Sequence, residues 1–119
     1  MKILVVEDEP LLAMLLEESL ADLGHESVTT AATVEQALSF LDESHIDCAL
    51  LDFSLGRETT SAPVARKLRE KGTPFYYLSG HASLEEADDA PEAPLLVKPV
   101  SLDALKKALI AMAPASRAA

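Results

Sequence analysis

The feature that most constrains the fold is an alternation of short apolar runs with longer helical patterns along all 119 residues. Five runs have the length and composition of β-strands, at about 2–7, 25–30, 46–51, 75–78 and 95–97. Helical patterns separate most of them. Parallel strands need crossover connections, which are usually helices. The alternation therefore predicts one doubly wound three-layer α/β sandwich with a five-stranded parallel sheet.

Local signals place the helix ends. The first helix begins at Pro10 and ends at Gly24, since Pro suits a first turn and Gly a C-terminus. The second begins near Thr33, which forms a capping box with Gln36. The third covers about 62–71, and the last follows the N-cap Ser101. Three of these helices have apolar faces: Leu12, Leu16, Leu20 and Leu23; Val34, Ala37, Leu38 and Leu41; Leu102, Leu105, Leu109 and Met112.

Two segments lack a clear pattern. Residues 81–94 hold one large apolar side chain, Leu84, together with acids at 85, 86, 88 and 89 that repel one another and prolines at 91 and 94. We expect a short or mobile fourth helix there. Residues 114–119 are predicted to be a frayed tail, so the domain is expected to span 1–113.

Composition excludes several classes of function. A formal net charge of −10 argues against nucleic acid or an anionic membrane as a direct ligand. No apolar run reaches the roughly 18 residues of a membrane span, and acids follow the first apolar run too closely for a signal peptide. The single Cys48 lies within an apolar run and is interpreted as a buried hydrophobe. We therefore expect a soluble, cytoplasmic protein.

Polar side chains follow several of the predicted strands. Glu7 and Asp8 follow the first strand, Asp52 the third, Ser79 the fourth and Lys98 the fifth. In doubly wound sheets the site lies beyond the carboxyl ends of the strands, at the switch point in strand order. The sequence therefore predicts one polar site that gathers these five side chains.

The chemistry of such a site follows from its charges. Three converging carboxylates repel one another and need protons or a cation, and Mg²⁺ is favoured because it binds a few carboxylates and keeps several waters. Lys98 adds a fixed positive charge and Ser79 a hydroxyl donor. A metal, an ammonium and a hydroxyl around an exposed carboxylate suit phosphoryl transfer with Asp52 as nucleophile.

These residues, in this order, resemble the receiver domain of bacterial two-component response regulators. The resemblance implies that Asp52 accepts a phosphoryl group from a sensor histidine kinase or a histidine phosphotransfer protein. It implies that Asp8, Asp52 and the carbonyl of Ser54 bind Mg²⁺, with Glu7 acting through water. Lys98 and Ser79 would hold the phosphoryl group. The expected protein is a stand-alone switch or phosphate sink, not an enzyme, that contacts a downstream protein.

The chain departs from the usual receiver pattern in three places. Leu95 occupies the position, three before the lysine, where receivers usually carry an aromatic switch residue. The loop after Asp52 lacks the usual Met-Pro-x-Met-Asp-Gly. Residues 74–80, Pro-Phe-Tyr-Tyr-Leu-Ser-Gly, resemble the Pro-Phe-x-Phe-Ala-Thr-Gly variant class, which lacks the strand 5 aromatic and often partners non-standard sensor kinases.

Other interpretations of the same residues stay open at this point. A pseudo-receiver would share the fold without being phosphorylated. A haloacid-dehalogenase-type phosphatase would need a second Asp where Ser54 stands, and a flavodoxin-like flavin binder would need a Ser/Thr/Gly-rich loop after strand 1. Leu11 and Met14 lie off the apolar face of the first helix and either pack under a loop or form a docking patch for the dimerisation domain of a kinase or for a phosphotransfer protein. Residues 81–94 are the hypothesised element that orders on phosphorylation.

Overall fold

The computed structural model describes residues 1–55, 59–80 and 90–113. Its five parallel strands form one sheet with the order β2-β1-β3-β4-β5. The strands are β1 (Ile3–Val6), β2 (Val28–Ala31), β3 (Cys48–Asp52), β4 (Phe75–Ser79) and β5 (Leu95–Val97). The described helices are α1 (Pro10–Asp22), α2 (Val34–Glu43), α3 (Ala62–Lys71) and α4 (Leu102–Met112). The predicted doubly wound α/β fold is confirmed.

Two apolar layers cover the sheet, one on each face. Alternate residues of the central strands point to opposite faces, as the two-residue period of a strand requires. One layer packs the sheet against α2 and α3, with Leu41 and Leu68 among its buried side chains. The other packs it against α1 and α4, through Leu20 and Leu109. Because both faces are covered, β1 and β3 are buried along their whole length.

The predicted helix ends agree closely with the structure. Thr33 and Ser101 accept hydrogen bonds at 3.1 Å from the backbone N–H groups of Gln36 and Ala104, as N-cap residues do. Gly72 ends α3 with a φ of 71°, a left-handed conformation that favours glycine. The capping box at α2 differs in one respect, because the Gln36 side chain accepts from Ala32 rather than from the N-cap.

Some predicted boundaries and faces were wrong. Strand 2 begins at Val28 and not at 25, and strand 3 begins at Cys48, because Ser44–Asp47 link α2 to the sheet. Asp52 and Ser79 are the last residues of their strands rather than the residues after them. Leu102 does not belong to the buried face of α4, since it is 47% exposed.

Two expectations fall outside the described residues, wholly or in part: the helix within 81–94 and the frayed tail 114–119. Within the described ranges, none of the helices is both long and apolar enough to cross a membrane.

Truncation of Leu4 to Ala should lower the free energy of unfolding by about 2–5 kcal/mol, because it leaves a cavity in a close-packed layer. Leu4 is 0% exposed at the centre of β1. The matched control is Leu11→Ala, at a side chain 62% exposed on α1, for which we expect a change within about 0.5 kcal/mol. Urea unfolding measures the free energy of unfolding of both variants. Equal decreases would contradict the burial of Leu4 in a close-packed layer.

Candidate functional site

The site begins where the order of strands reverses. After β1 the chain crosses to β2 on one side, whereas β3 pairs with β1 on the other side. Glu7 and Asp8 follow β1 and Asp52 ends β3, so the topology brings their backbones together. Carboxylate oxygens of the three residues lie within 4.8 Å of one another. The predicted convergence of these acids at the switch point is present in the structure.

Lys98 completes the cluster from the edge of the sheet. Its backbone N–H donates to the Ser79 carbonyl at 2.8 Å, which fixes the residue beside the end of β4. Its ammonium donates to Asp52 Oδ2 at 2.9 Å and to Glu7 Oε2 at 3.3 Å. One cation therefore bridges the ends of β1 and β3.

Burial sets the protonation of these groups. The Glu7 side chain is 1% exposed. Loss of hydration, together with its hydrogen bond to Asp52, raises the Glu7 pKa from 4.5 to about 7. Burial alone lowers the Lys98 pKa, but the hydrogen bond to Asp52 and the charges of Asp52 and Glu7 outweigh it, and the pKa is raised. Lys98 is thus held in its charged form beside carboxylates that exceed it in number.

The donor set suits a hard divalent cation. All three candidate ligands are carboxylates, and Asp8 is more exposed than the other two, so the cluster opens toward solvent. Mg²⁺ binds oxygens at about 2.1 Å, so two ligands on opposite sides of one ion lie about 4.2 Å apart. The carboxylate oxygens of the three residues lie within 4.8 Å of one another. A small movement of the side chains brings them to the spacing that the ion requires. Glu7, Asp8 and Asp52 therefore fit the ion.

The two serines predicted to belong to the site follow from neighbouring strands, Ser79 at the end of β4 and Ser54 just after β3. Ser79 is the last residue of β4 and is 9% exposed, next to the position where Lys98 leaves β5. Ser54 is exposed and follows Asp52 by two residues, in a bridge with Thr60. The Phe53 N–H donates to the Leu78 carbonyl at 3.0 Å, which holds the chain after Asp52 against β4.

The family model of the response regulator receiver domain matches residues 3–110. The chain belongs to the response regulator receiver domain family.

Two known proteins resemble the chain over much of its length. The sensor histidine kinase RcsC of Escherichia coli K12 is 32% identical over 114 residues, which are 92% of this chain but only 12% of the kinase. The chain thus spans about an eighth of the length of that curated relative. The regulatory protein VanR of Enterococcus faecium is 38% identical over 80 residues, 66% of this chain and 34% of VanR.

Solved structures agree with the receiver fold. SdrG from Sphingomonas melonis Fr1 has a TM-score of 0.76 and 38% identity, and the match covers 93% of this chain and 94% of SdrG. The response regulator TrrA from Thermotoga maritima, solved in complex with Mg(2+)-BeF, has a TM-score of 0.80 and 28% identity over 95% of this chain and 100% of TrrA.

Sequence reasoning missed three features of this receiver site. Glu7 contacts Lys98 directly, whereas the resemblance implied a role only through water. The N–H of Glu9 donates to Glu7 at 3.2 Å, a backbone contact that side-chain patterns do not reveal. Leu15 is 47% exposed beside the site, although it is one residue from the predicted apolar face. The unusually apolar composition of α1 was the available signal.

The pH dependence of stability should report on Glu7 in protein freed of divalent cations. The unfolded chain loses this proton near its usual pKa of 4.5, while the folded protein keeps it to a pKa of about 7. The contribution to stability is therefore fully present below pH 4.5 and is lost as the pH rises to about 7. Glu7→Gln should remove this loss of stability with rising pH. Above pH 7 the variant should have a higher free energy of unfolding than wild type, by roughly 1–3 kcal/mol.

Chemical unfolding at a series of pH values with a chelator present measures this difference. Glu17→Gln, an exposed change on α1, controls for the loss of one negative charge from the chain. A Glu7→Gln variant with the wild-type pH slope would show that this carboxyl does not hold its proton as described.

Proposed function

We propose that the chain is a phosphorylation switch that accepts a phosphoryl group on Asp52 from a sensor histidine kinase or a histidine phosphotransfer protein. The observation that carries the proposal is the Asp52 carboxylate at the switch point, 2.9 Å from the Lys98 ammonium and grouped with two more acids. On this proposal the protein is a switch in the cytoplasm and not an enzyme that turns over a separate substrate.

The residues present can support the transfer. The side chain of Asp52 is 10% exposed, so an oxygen can meet a donor phosphorus while most of the group stays shielded. A P–O bond forms to Asp52 as the P–N bond to the donor imidazole breaks, and the electron pair of that bond stays on the imidazole nitrogen. Lys98 is 28% exposed. Its ammonium can move from the Asp52 carboxylate to an oxygen of the phosphoryl group as the negative charge moves there.

A divalent cation would complete the charge balance. Asp8 and Asp52 are the proposed ligands for Mg²⁺, with the carbonyl of Ser54 and with Glu7 acting through water or by proton release. When bound, Mg²⁺ supplies positive charge to the transferring phosphoryl oxygens. Ser79, at the end of β4, is proposed to donate its hydroxyl to the phosphoryl group and so to link the modification to the position of that strand.

The kind of regulator is also a proposal. The proposed regulator is a stand-alone receiver; the match with SdrG covers 94% of the solved SdrG chain. Residues 74–80 and Leu95 support the Pro-Phe-x-Phe-Ala-Thr-Gly variant class. The output is then a contact with a downstream protein, or the removal of phosphoryl groups from a shared kinase.

Helix α1 carries the proposed docking patch, which comprises Leu11, Met14 and Leu15. These side chains are 62%, 48% and 47% exposed. Leu15 also lines a groove of about 400 Å³ whose other walls include Leu78 and Val100, and which reaches Glu7 and Lys98. An apolar surface that adjoins the phosphorylation site suits the helices of a kinase dimerisation domain, whose histidine must come to Asp52.

Replacement of Asp52 by Asn should abolish phosphorylation, since the nucleophilic carboxylate is lost while the shape of the side chain is kept. The wild-type protein should gain the mass of one phosphoryl group from acetyl phosphate in the presence of Mg²⁺, and a chelator should prevent the gain. Intact-mass spectrometry at neutral pH measures both.

Asp103→Asn, at an exposed carboxylate on α4, is the matched control and should be labelled like wild type. Labelling of Asp52→Asn would place the phosphoryl group elsewhere. A wild-type protein that binds Mg²⁺ but is never labelled by any phosphodonor would instead be a pseudo-receiver.

The double variant L11A/L15A should receive phosphoryl groups from a phosphorylated histidine protein roughly tenfold more slowly, because two contacts of the docking patch are truncated. Labelling by acetyl phosphate, which needs no docking, should be unchanged. The control L102A/I110A changes two comparably exposed side chains on α4. Equal effects on both phosphodonors, or none on either, would contradict a docking role.

A further inference from the structure

The aromatic side chain that is missing from β5 has a counterpart on the neighbouring strand. Leu95 occupies the position where receivers usually carry the aromatic switch, and it pairs in register with Tyr77 of β4. Both side chains belong to the layer between the sheet and helices α2 and α3. Tyr77 is 1% exposed, so its ring lies entirely within that layer.

The Tyr77 ring contacts the segment that follows the phosphorylation site. Its centroid lies 5.7 Å from that of Phe53 and 5.4 Å from that of Phe75, with both pairs edge to face. Phe53 is bonded to Asp52, and Tyr77 is two residues before Ser79 on the same strand. Tyr77 is therefore close in structure to both residues that would respond first to a phosphoryl group.

The other end of Tyr77 holds the chain that leads into β5. Its hydroxyl donates to the Pro91 carbonyl at 2.7 Å. One residue later, Arg69 of α3 donates to the Glu92 carbonyl, and its guanidinium lies 5.7 Å over the Phe75 ring. Residues 91–92 are thus tied to the aromatic cluster of Phe53, Phe75 and Tyr77 at two consecutive carbonyls.

We propose that Tyr77 is a positioning residue that transmits phosphorylation of Asp52 to residues 90–94 through its hydroxyl bond to Pro91. The inference rests on the proposed function, and it names the contact that would couple the site to a distant surface. A packed ring has little freedom to absorb a movement of β4 or of Phe53. A displacement at the site is therefore passed to the carbonyl that the hydroxyl holds. The bond is specific to Tyr, because Phe at this position has no donor.

The test is Tyr77→Phe, which removes one oxygen atom and keeps the ring. Amide NMR spectra are recorded with and without beryllofluoride and Mg²⁺, a phosphoryl mimic. In wild type we expect shifts at Asp52 and Lys98 and also at Ala90, Glu92 and Ala93. In Tyr77→Phe the shifts at Asp52 and Lys98 should persist, while those at residues 90–93 should be lost.

Tyr76→Phe is the matched control. It removes a hydroxyl from the adjacent residue, which packs against the layer on the opposite face of the sheet, and it should behave like wild type. Thermal unfolding of both variants shows whether each remains folded at the temperature of the spectra. If Tyr77→Phe is too unstable, Arg69→Gln tests the second tie to the same segment and should diminish the shift at Glu92.

The outcomes separate this proposal from the proposed function. Persistence of the shifts at 90–93 in a folded Tyr77→Phe protein overturns the role of Tyr77. Wild-type shifts confined to the site overturn it as well, but leave phosphorylation of Asp52 intact. The absence of any shift in wild type, including at Asp52 and Lys98, overturns the proposed function itself and this inference with it.

Discussion

The contact of Lys98 with Asp52 and Glu7 is the interaction on which the site depends. Two of the three clustered carboxylates are almost completely buried, and burial of unpaired charge is strongly unfavourable. Lys98 makes that burial tolerable by bridging residues that are 46 and 91 positions away in the chain. The same contact links the residue that follows β5 to the ends of β1 and β3, so one side chain joins three strands at the site.

The charge balance that remains leaves the cluster with an excess of carboxylates over cations. One ammonium does not neutralise three carboxylates, and burial together with the hydrogen bond to Asp52 raises the pKa of Glu7. A proton on Glu7 or a bound divalent cation reduces the excess negative charge. When neither is present, the folded protein is less stable. Unfavourable burial of this kind is concentrated at functional sites.

The sequence predicted the fold and the convergence of the acids with Lys98 because both depend on local pattern and parallel topology. Short apolar runs lead into Glu7, Asp52 and Lys98. Parallel strands place their carboxyl ends at the same edge of the sheet, so this pattern was sufficient to predict that the three side chains converge. The half-buried face of α1 and the exposure of Leu102 were not predictable from spacing alone. They depend on which helices pack against one another across the sheet. Backbone contacts such as Glu9 to Glu7 leave no signal in side-chain patterns.

The place of the aromatic residue also limits how a signal can leave the site. A tyrosine on an edge strand can turn between the interior and solvent, which is the rotamer coupling that receivers usually employ. Tyr77 lies on an inner strand, is 1% exposed, and packs edge to face against both Phe53 and Phe75. Any signal through it must be a displacement of the ring with its strand. The surface that responds is then the backbone at Pro91 and Glu92, and not the face of β5 where Leu95 replaces the aromatic.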